Sequence, residues 1–289
     1  MTIDDLLKTY SSATLVYQRR GHASERSLRR LLDPILEQPV ETLTFAILNQ
    51  LVGKMTAEAP VHGERALGYV GPMLSWAEAH GHIPANPLHG FRGPKQRPAR
   101  DRILSLEEVR GIYGVAGRLP YPFGPAFQLL VLIPATREIV GGLRVADLGT
   151  TSGGGLAWRV ERQALPSRLS VPAAHAVRAA VACRIKGSDL VFSTTGRSPI
   201  SGWSRAKARL DDEMAAMGLM PEPWRLNDLR SSFASIAREQ LKVDAWAIER
   251  CLGRINKFAT PLLREWADSP ELRLEADLAL DRWAALVTG

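Results

Sequence analysis

The sequence is short of cysteine, of lysine and, over most of its length, of tyrosine. Its two cysteines, Cys183 and Cys251, lie far apart, each among hydrophobic neighbours. They form neither a zinc-binding spacing nor a disulfide framework, which excludes a small metal finger and a disulfide-stapled scaffold. A reducing cytoplasm is the expected compartment. No apolar run reaches the roughly 20 residues of a membrane span. Asp4 and Asp5 stand where a signal peptide would be basic and then apolar, so no membrane partner is expected. His62, His80, His82 and His89 gather loosely, at a spacing that fits no metal motif. They read as surface or turn residues, and no metal or cofactor is expected. Tyr10, Tyr17, Tyr69, Tyr113 and Tyr121 are the five tyrosines, and none occurs in residues 122–289.

What the sequence has in quantity is arginine. Lys and Arg together number 37 against 30 Asp and Glu, and only seven of the 37 are lysine. A pI near 9.7 favours a polyanionic partner, of which nucleic acid is the commonest. Arginine binds phosphate through two parallel hydrogen bonds and stacks on bases, which suits that partner. A GC-rich genome would produce the same bias with no function attached, and composition does not separate the two.

Residues 2–90 read as helices separated by polar breaks. Ser24–Leu36 places Leu28, Leu31, Leu32, Ile35 and Leu36 at helical spacing, with Pro39 as its end. Thr42–Lys54 and Glu64–His80 follow, the last closed by Gly81. Pro84 and Pro87 then form a turn through Ala85 and Asn86. Residues 91–102 read as a basic linker, with Arg92, Lys95, Arg97, Arg100 and Arg102 placed to cross a phosphate backbone. Residues 103–289 form the second domain. It opens with Ser105 and Glu108 spaced as a capping box. Apolar helices run through Leu148, then Leu156–Val160 and Arg168–Val171 read as strands around a glycine loop at 153–155. Pro172 closes that stretch and helices follow to the end. The fold class is mainly α with a small antiparallel β-sheet, in two domains.

Five blocks in this order resemble the tyrosine recombinases, or phage integrases, over nearly the whole chain. They are Ile83-Pro84-Ala85-Asn86-Pro87, Arg102–Val109, Gly142–Leu148, Trp224–Ser235 and Leu252-Gly253-Arg254. The resemblance implies a helical core-binding domain and a catalytic-type domain that close round double-stranded DNA. In that family two arginines and a histidine hold the scissile phosphate and a hairpin lysine protonates the leaving oxygen. A second histidine or a tryptophan supports the phosphate, and a tyrosine attacks it. Fixed cations meet the charge that concentrates on the pentacovalent phosphate.

Matched position by position, the second arginine falls on Arg230 and its partner histidine on Asn227, an amide that binds phosphate but exchanges no proton near neutral pH. The later histidine falls on Arg254, a phosphate binder and a poor acid. For the first arginine, an ungapped count gives Thr136 and a one-residue deletion gives Arg137; both readings stand. No lysine lies between Lys95 and Lys186, so the hairpin offers only Arg159, Arg162 and Arg168. The nucleophile position falls on Leu262, close to Thr260, whose alkoxide is harder to reach than a phenolate.

These matches predict a chain that is not an enzyme, a pseudo-recombinase that binds specific DNA through Arg92, Lys95, Arg97, Arg100, Arg102, Arg137, Arg162, Arg230 and Arg254. It would regulate transcription, or act as an accessory or competitor of recombination, as a nucleoid-associated cytoplasmic protein. Two alternatives are kept. One is an active strand-transfer enzyme whose nucleophile is replaced or supplied by an active recombinase. The other is an interaction module that no longer binds DNA and self-associates through its C-terminal helix, Glu271–Val287. In the family such a helix docks on a neighbouring protomer; packing on its own core is the other expectation. Trp246 and Trp266 read as core anchors rather than DNA stackers.

Overall fold

A computed structural model describes residues 1–18, 21–58, 60–89, 102–159, 168–219, 222–254, 265–266 and 269–289. The chain divides into two compact units, Met1–Ala99 and Arg100–Gly289. Each has its own hydrophobic core.

Among the described residues the first unit has four α-helices: α1 (Ile3–Ala13), α2 (Gly21–Leu32), α3 (Phe45–Glu58) and α4 (Pro60–Ala79). Thr2 and Asp5 cap α1 reciprocally, each side chain accepting from the other's backbone N–H. Leu6, Leu28, Leu31, Val70 and Met73 meet in the core, because each helix repeats its apolar residues every three or four positions. Helix α2 starts and stops earlier than its periodicity suggests. Pro34 ends it, since a proline has no N–H to donate and its ring crowds the preceding turn. The chain therefore leaves α2 at Leu32 through a 3₁₀ turn, Asp33–Ile35. The asparagine–proline turn after α4 is held from within. Asn86 is buried, donating to Ser75 Oγ at 3.0 Å and accepting from the Leu88 N–H at 2.8 Å. His80 and His82 pack on the Trp76 ring, at centroid distances of 4.6 and 5.1 Å. No group of three metal-ligating side chains occurs among the described residues. The side chain of His62 lies outside the described ones.

The second unit is built on α6 (Phe123–Leu132), which has hydrophobic residues on nearly all sides and is buried accordingly. Helices α5 (Leu106–Ala116) and α8 (Val171–Cys183) pack against it, and the short α7 (Arg137–Gly141) follows it in the chain. Helices α9 (Trp203–Ala216), α10 (Asp228–Glu239), α11 (Ala245–Cys251) and α12 (Pro270–Thr288) also belong to this unit. The Ser105–Glu108 capping box forms as its spacing predicts, with bonds of 3.1 and 2.7 Å.

The sheet is antiparallel but placed differently from the sequence reading. Strand β1 (Leu148–Thr150) precedes the glycine loop and pairs with β2 (Leu156–Trp158) in the register Leu148 to Trp158. Arg168 joins as an isolated bridge to Ala157. Val171 and Pro172 begin α8 instead of ending a strand; proline is favourable in a first helical turn, where its missing N–H has no partner to lose.

The C-terminal helix packs on its own unit, against α11, α5, α8 and α6. Trp283 anchors it. Its Nε1–H donates to the Val131 carbonyl at 2.8 Å and its ring meets Phe233 edge to face at 5.4 Å. Cys251 lies beneath, and burial holds its thiol well above the ordinary range. No described helix is long and apolar enough to cross a membrane.

One charged knot lies in this packing. Arg168 pairs with Asp281 and, at 3.9 Å, with Asp277, one turn apart on α12. Burial pushes the Asp277 carboxyl up to about 6; Arg168 and Arg250 oppose the shift and Asp281 adds to it. The folded chain thus binds this proton more tightly than the unfolded chain, whose carboxyl keeps its ordinary value of 3.8. Stability from this group is full below the unfolded value and falls as pH rises toward 6.

Replacing Asp277 with Asn should raise stability at pH 8 by on the order of 1–3 kcal/mol and leave it nearly unchanged at pH 4. Urea unfolding at the two pH values measures this. A second variant tests the packing. A Cβ on Gly124 would fall 2.1 Å from the Leu119 carbonyl oxygen. Gly124→Ala should cost about 1–3 kcal/mol, seen as a lower urea midpoint.

Candidate nucleic-acid interface

The site begins with a turn that the sequence builds for itself. Trp224 is buried, with the Lys207 ammonium 4.0 Å from its ring centroid. From there the chain turns into α10. The Asp228 carboxylate accepts from the Arg225 N–H at 2.8 Å, closing the turn. Ser232 Oγ donates to the Asp228 carbonyl and accepts from the Leu104 N–H, both at 2.7 Å. The start of α10 is thereby tied to the segment just before α5.

That turn fixes Arg230. Its side chain runs inward and is 7% exposed. Nη2 donates to the Leu252 carbonyl at 2.7 Å, joining α10 to the end of α11. Nη1 is buried and has no hydrogen-bond partner among the described residues. Burial pulls the guanidinium below its ordinary range, Arg254 adds to that, and Glu249 opposes it. A guanidinium nonetheless stays charged in proteins. A cation held in place with an unused donor is a site for an anion, because leaving such a donor unpaired costs more than pairing it gains in water.

Arg254 lies beside it and is exposed. Its Nη1 is 3.9 Å from Glu249 Oε1 and its backbone N–H donates to the Glu249 carbonyl. Asn227 stands just before α10, exposed, its carbonyl accepting from the Arg230 N–H at 3.1 Å. Three of the matched positions are therefore brought together: Asn227, Arg230 and Arg254.

The others divide. Arg137 heads α7, is half exposed and pairs with Glu138 at 3.1 Å. Among the described residues, no hydrogen bond or ion pair joins it to Arg230 or Arg254. Arg102 pairs with Glu108 and donates to the Ile103 carbonyl, so its charge is already engaged. Arg168 is held by Asp277 and Asp281. Arg92, Lys95, Arg97, Arg100, Arg162, Thr260 and Leu262 lie outside the described residues.

Two features escaped the sequence reading. Arg205 and Arg209 are exposed one turn apart on α9, with no ion pair among the described residues. Their four-residue spacing was the signal. Trp246 and Trp266 are not core anchors: they are 44% and 41% exposed and meet edge to face at 5.1 Å. Residue type favours burial for tryptophan, but only the packing decides it.

No family model and no curated protein matches the chain. Solved structures do. A lambda integrase (75–356) dimer bound to a COC′ core site is 17% identical with a TM-score of 0.60, over 88% of this chain and 95% of that one. A lambda integrase tetramer bound to a Holliday junction is 17% identical with a TM-score of 0.61, over 90% and 79%. XerH recombinase bound to palindromic difH substrate, as a post-cleavage complex, is 10% identical with a TM-score of 0.55, over 96% and 94%.

These likenesses overturn the expectation that the chain is not an enzyme. Its structural neighbours are an integrase and a recombinase on DNA, one of them after cleavage. Missing side chains remove particular donors; they do not show that a reaction is gone, since other groups or a second protein can fill a role in a shared site. The chain has the fold of the tyrosine recombinases.

Proposed function

We propose that this protein binds double-stranded DNA at specific sites and takes part in site-specific recombination there. Arg230 carries the reading: a buried, fixed guanidinium with an open donor, beside the exposed cation of Arg254. A phosphate diester is the ligand that fits such a pair, and the solved neighbours are DNA complexes. The basic linker residues Arg92, Lys95, Arg97 and Arg100, with Arg137 and Arg162, add phosphate contacts in this reading.

Strand transfer here would draw its nucleophile from somewhere other than a tyrosine of residues 122–289, since there is none. An active recombinase sharing the site would supply it. The phosphate would be held by Arg230 and Arg254, with Asn227 as a hydrogen-bond donor. A second reading is occupancy of recombination sites in competition with another recombinase, with control of transcription nearby. Arg254 favours it, because a guanidinium in the place of an imidazole strengthens the hold on phosphate. Nucleoid association follows from either reading.

Gel shift on duplex fragments at physiological salt tests the proposal. Wild-type protein should bind its own sites at least a thousandfold more tightly than random duplex, on the order expected for specific proteins. Arg230→Lys keeps the charge and loses the fork, and should weaken binding about tenfold. Binding no stronger than to random DNA would contradict the proposal. A nicked suicide duplex incubated with the chain and a partner recombinase reports strand transfer as a covalent adduct.

A further inference from the structure

Resting on the reading of this protein as DNA-binding, we infer that Lys207 is a positioning residue: its ammonium braces the turn that carries Arg230, and so sets how tightly a DNA phosphate is held without touching DNA. Lys207 lies on α9 between Arg205 and Arg209, and residue type alone would count all three as phosphate contacts. The structure separates them. Arg205 and Arg209 share an exposed face, four residues apart, whereas the residue midway between them points to the other side of the helix. The Lys207 side chain is 15% exposed. Its Nζ donates to both carboxylate oxygens of Asp211, at 2.7 and 2.5 Å, and lies 4.0 Å from the centroid of the Trp224 ring. An ammonium paired on one side and set over a ring on the other is not presented to a phosphate.

Both ends of the brace are anchored. Helix α9 is pinned to the core of its unit by Trp203, whose ring meets Phe123 and Phe127 edge to face at 5.8 Å each, and by the buried Leu210 and Met214. Trp224 is 6% exposed, and its indole N–H has no hydrogen-bond partner among the described residues. Its ring is therefore oriented by packing and by the cation over its face, an attraction that strengthens as water is excluded. From Trp224 one turn leads to the phosphate site. The Asp228 N–H donates to the Arg225 carbonyl at 2.8 Å, and the Asp228 carboxylate accepts from the Arg225 N–H at 2.8 Å. The Arg230 N–H donates to the Asn227 carbonyl at 3.1 Å, and its guanidinium reaches the Leu252 carbonyl.

The other charged side chains of this turn do not replace the brace. Arg225 is exposed, and Asp228 is engaged with the Arg225 N–H. Arg230 binds an anion well only in the pose that aims its open donor at the site. Freedom in the turn before α10 lowers the fraction of molecules in that pose, and the apparent affinity falls by the same fraction. Losing the cation from the Trp224 ring should therefore cost affinity about fivefold, a shift of the size such a contact can hold. The number of phosphates gripped stays the same, because Lys207 grips none.

The probe is a duplex that the wild-type protein selects from a random-sequence pool, with affinity measured across a range of salt. Lys207→Gln should weaken binding about fivefold and leave the slope of log affinity against log salt as it was. Lys207→Arg keeps a cation over the ring and a partner for Asp211, and should restore most of the affinity. In an Arg230→Lys background the glutamine change should cost less than about twofold, because the pose it protects is already lost. Thermal midpoints above the assay temperature show that the variants are folded. A slope reduced by about one in Lys207→Gln would overturn the inference in favour of a direct phosphate contact. Unaltered affinity of the glutamine variant, no rescue by arginine, or a fully additive loss in the Arg230→Lys background would overturn it in favour of packing alone. A wild-type protein that selects no duplex would overturn the DNA-binding reading, and this inference with it.

Discussion

The hydrogen bond from Arg230 to the Leu252 carbonyl is the constraint on which the candidate site depends. It fixes the guanidinium between α10 and the end of α11, spends one side of the fork and leaves the other open. Burying a guanidinium is costly unless it is paired, and one carbonyl does not satisfy it. The chain carries that cost inside a well-packed unit. The cost has a use if an anion completes the set, and it explains why Arg254 can stand nearby: two cations close together repel until a phosphate lies between them.

The scaffold round that bond is arranged to keep it still. Asp228 closes the turn before α10, Ser232 ties the helix to Leu104, and Phe233 rests edge to face on Trp283 of the C-terminal helix. The first is a local turn; the other two join elements distant in sequence. The C-terminal helix thus supports the site from behind as part of its own unit.

Much of this was legible in the residues. The Asp-Leu-Arg-Ser-Ser-Phe block, the capping box at Ser105 and the turn at Asn86 are local patterns, and local hydrogen bonds follow local sequence. Helical periodicity marked the first unit for the same reason. What stayed hidden depends on distance or on length. Strand β1 has three residues, too few to show alternation. Pro34 ended α2 inside a run whose leucines kept helical spacing beyond it. The exposure of Trp246 follows from where α11 lies, which no residue type announces. Absence misled most. A missing tyrosine and missing histidines are facts about side chains, and the step from them to a chain without enzymatic activity does not survive comparison with integrases and recombinases of the same fold.

The most direct test of the central claim is genome-wide occupancy of the tagged protein in its own cells, compared with an Arg230→Lys variant. The account predicts a small number of sharp peaks at recombination sites, weakened in the variant without loss of protein. Uniform background, or peaks that the variant keeps at full height, would contradict it.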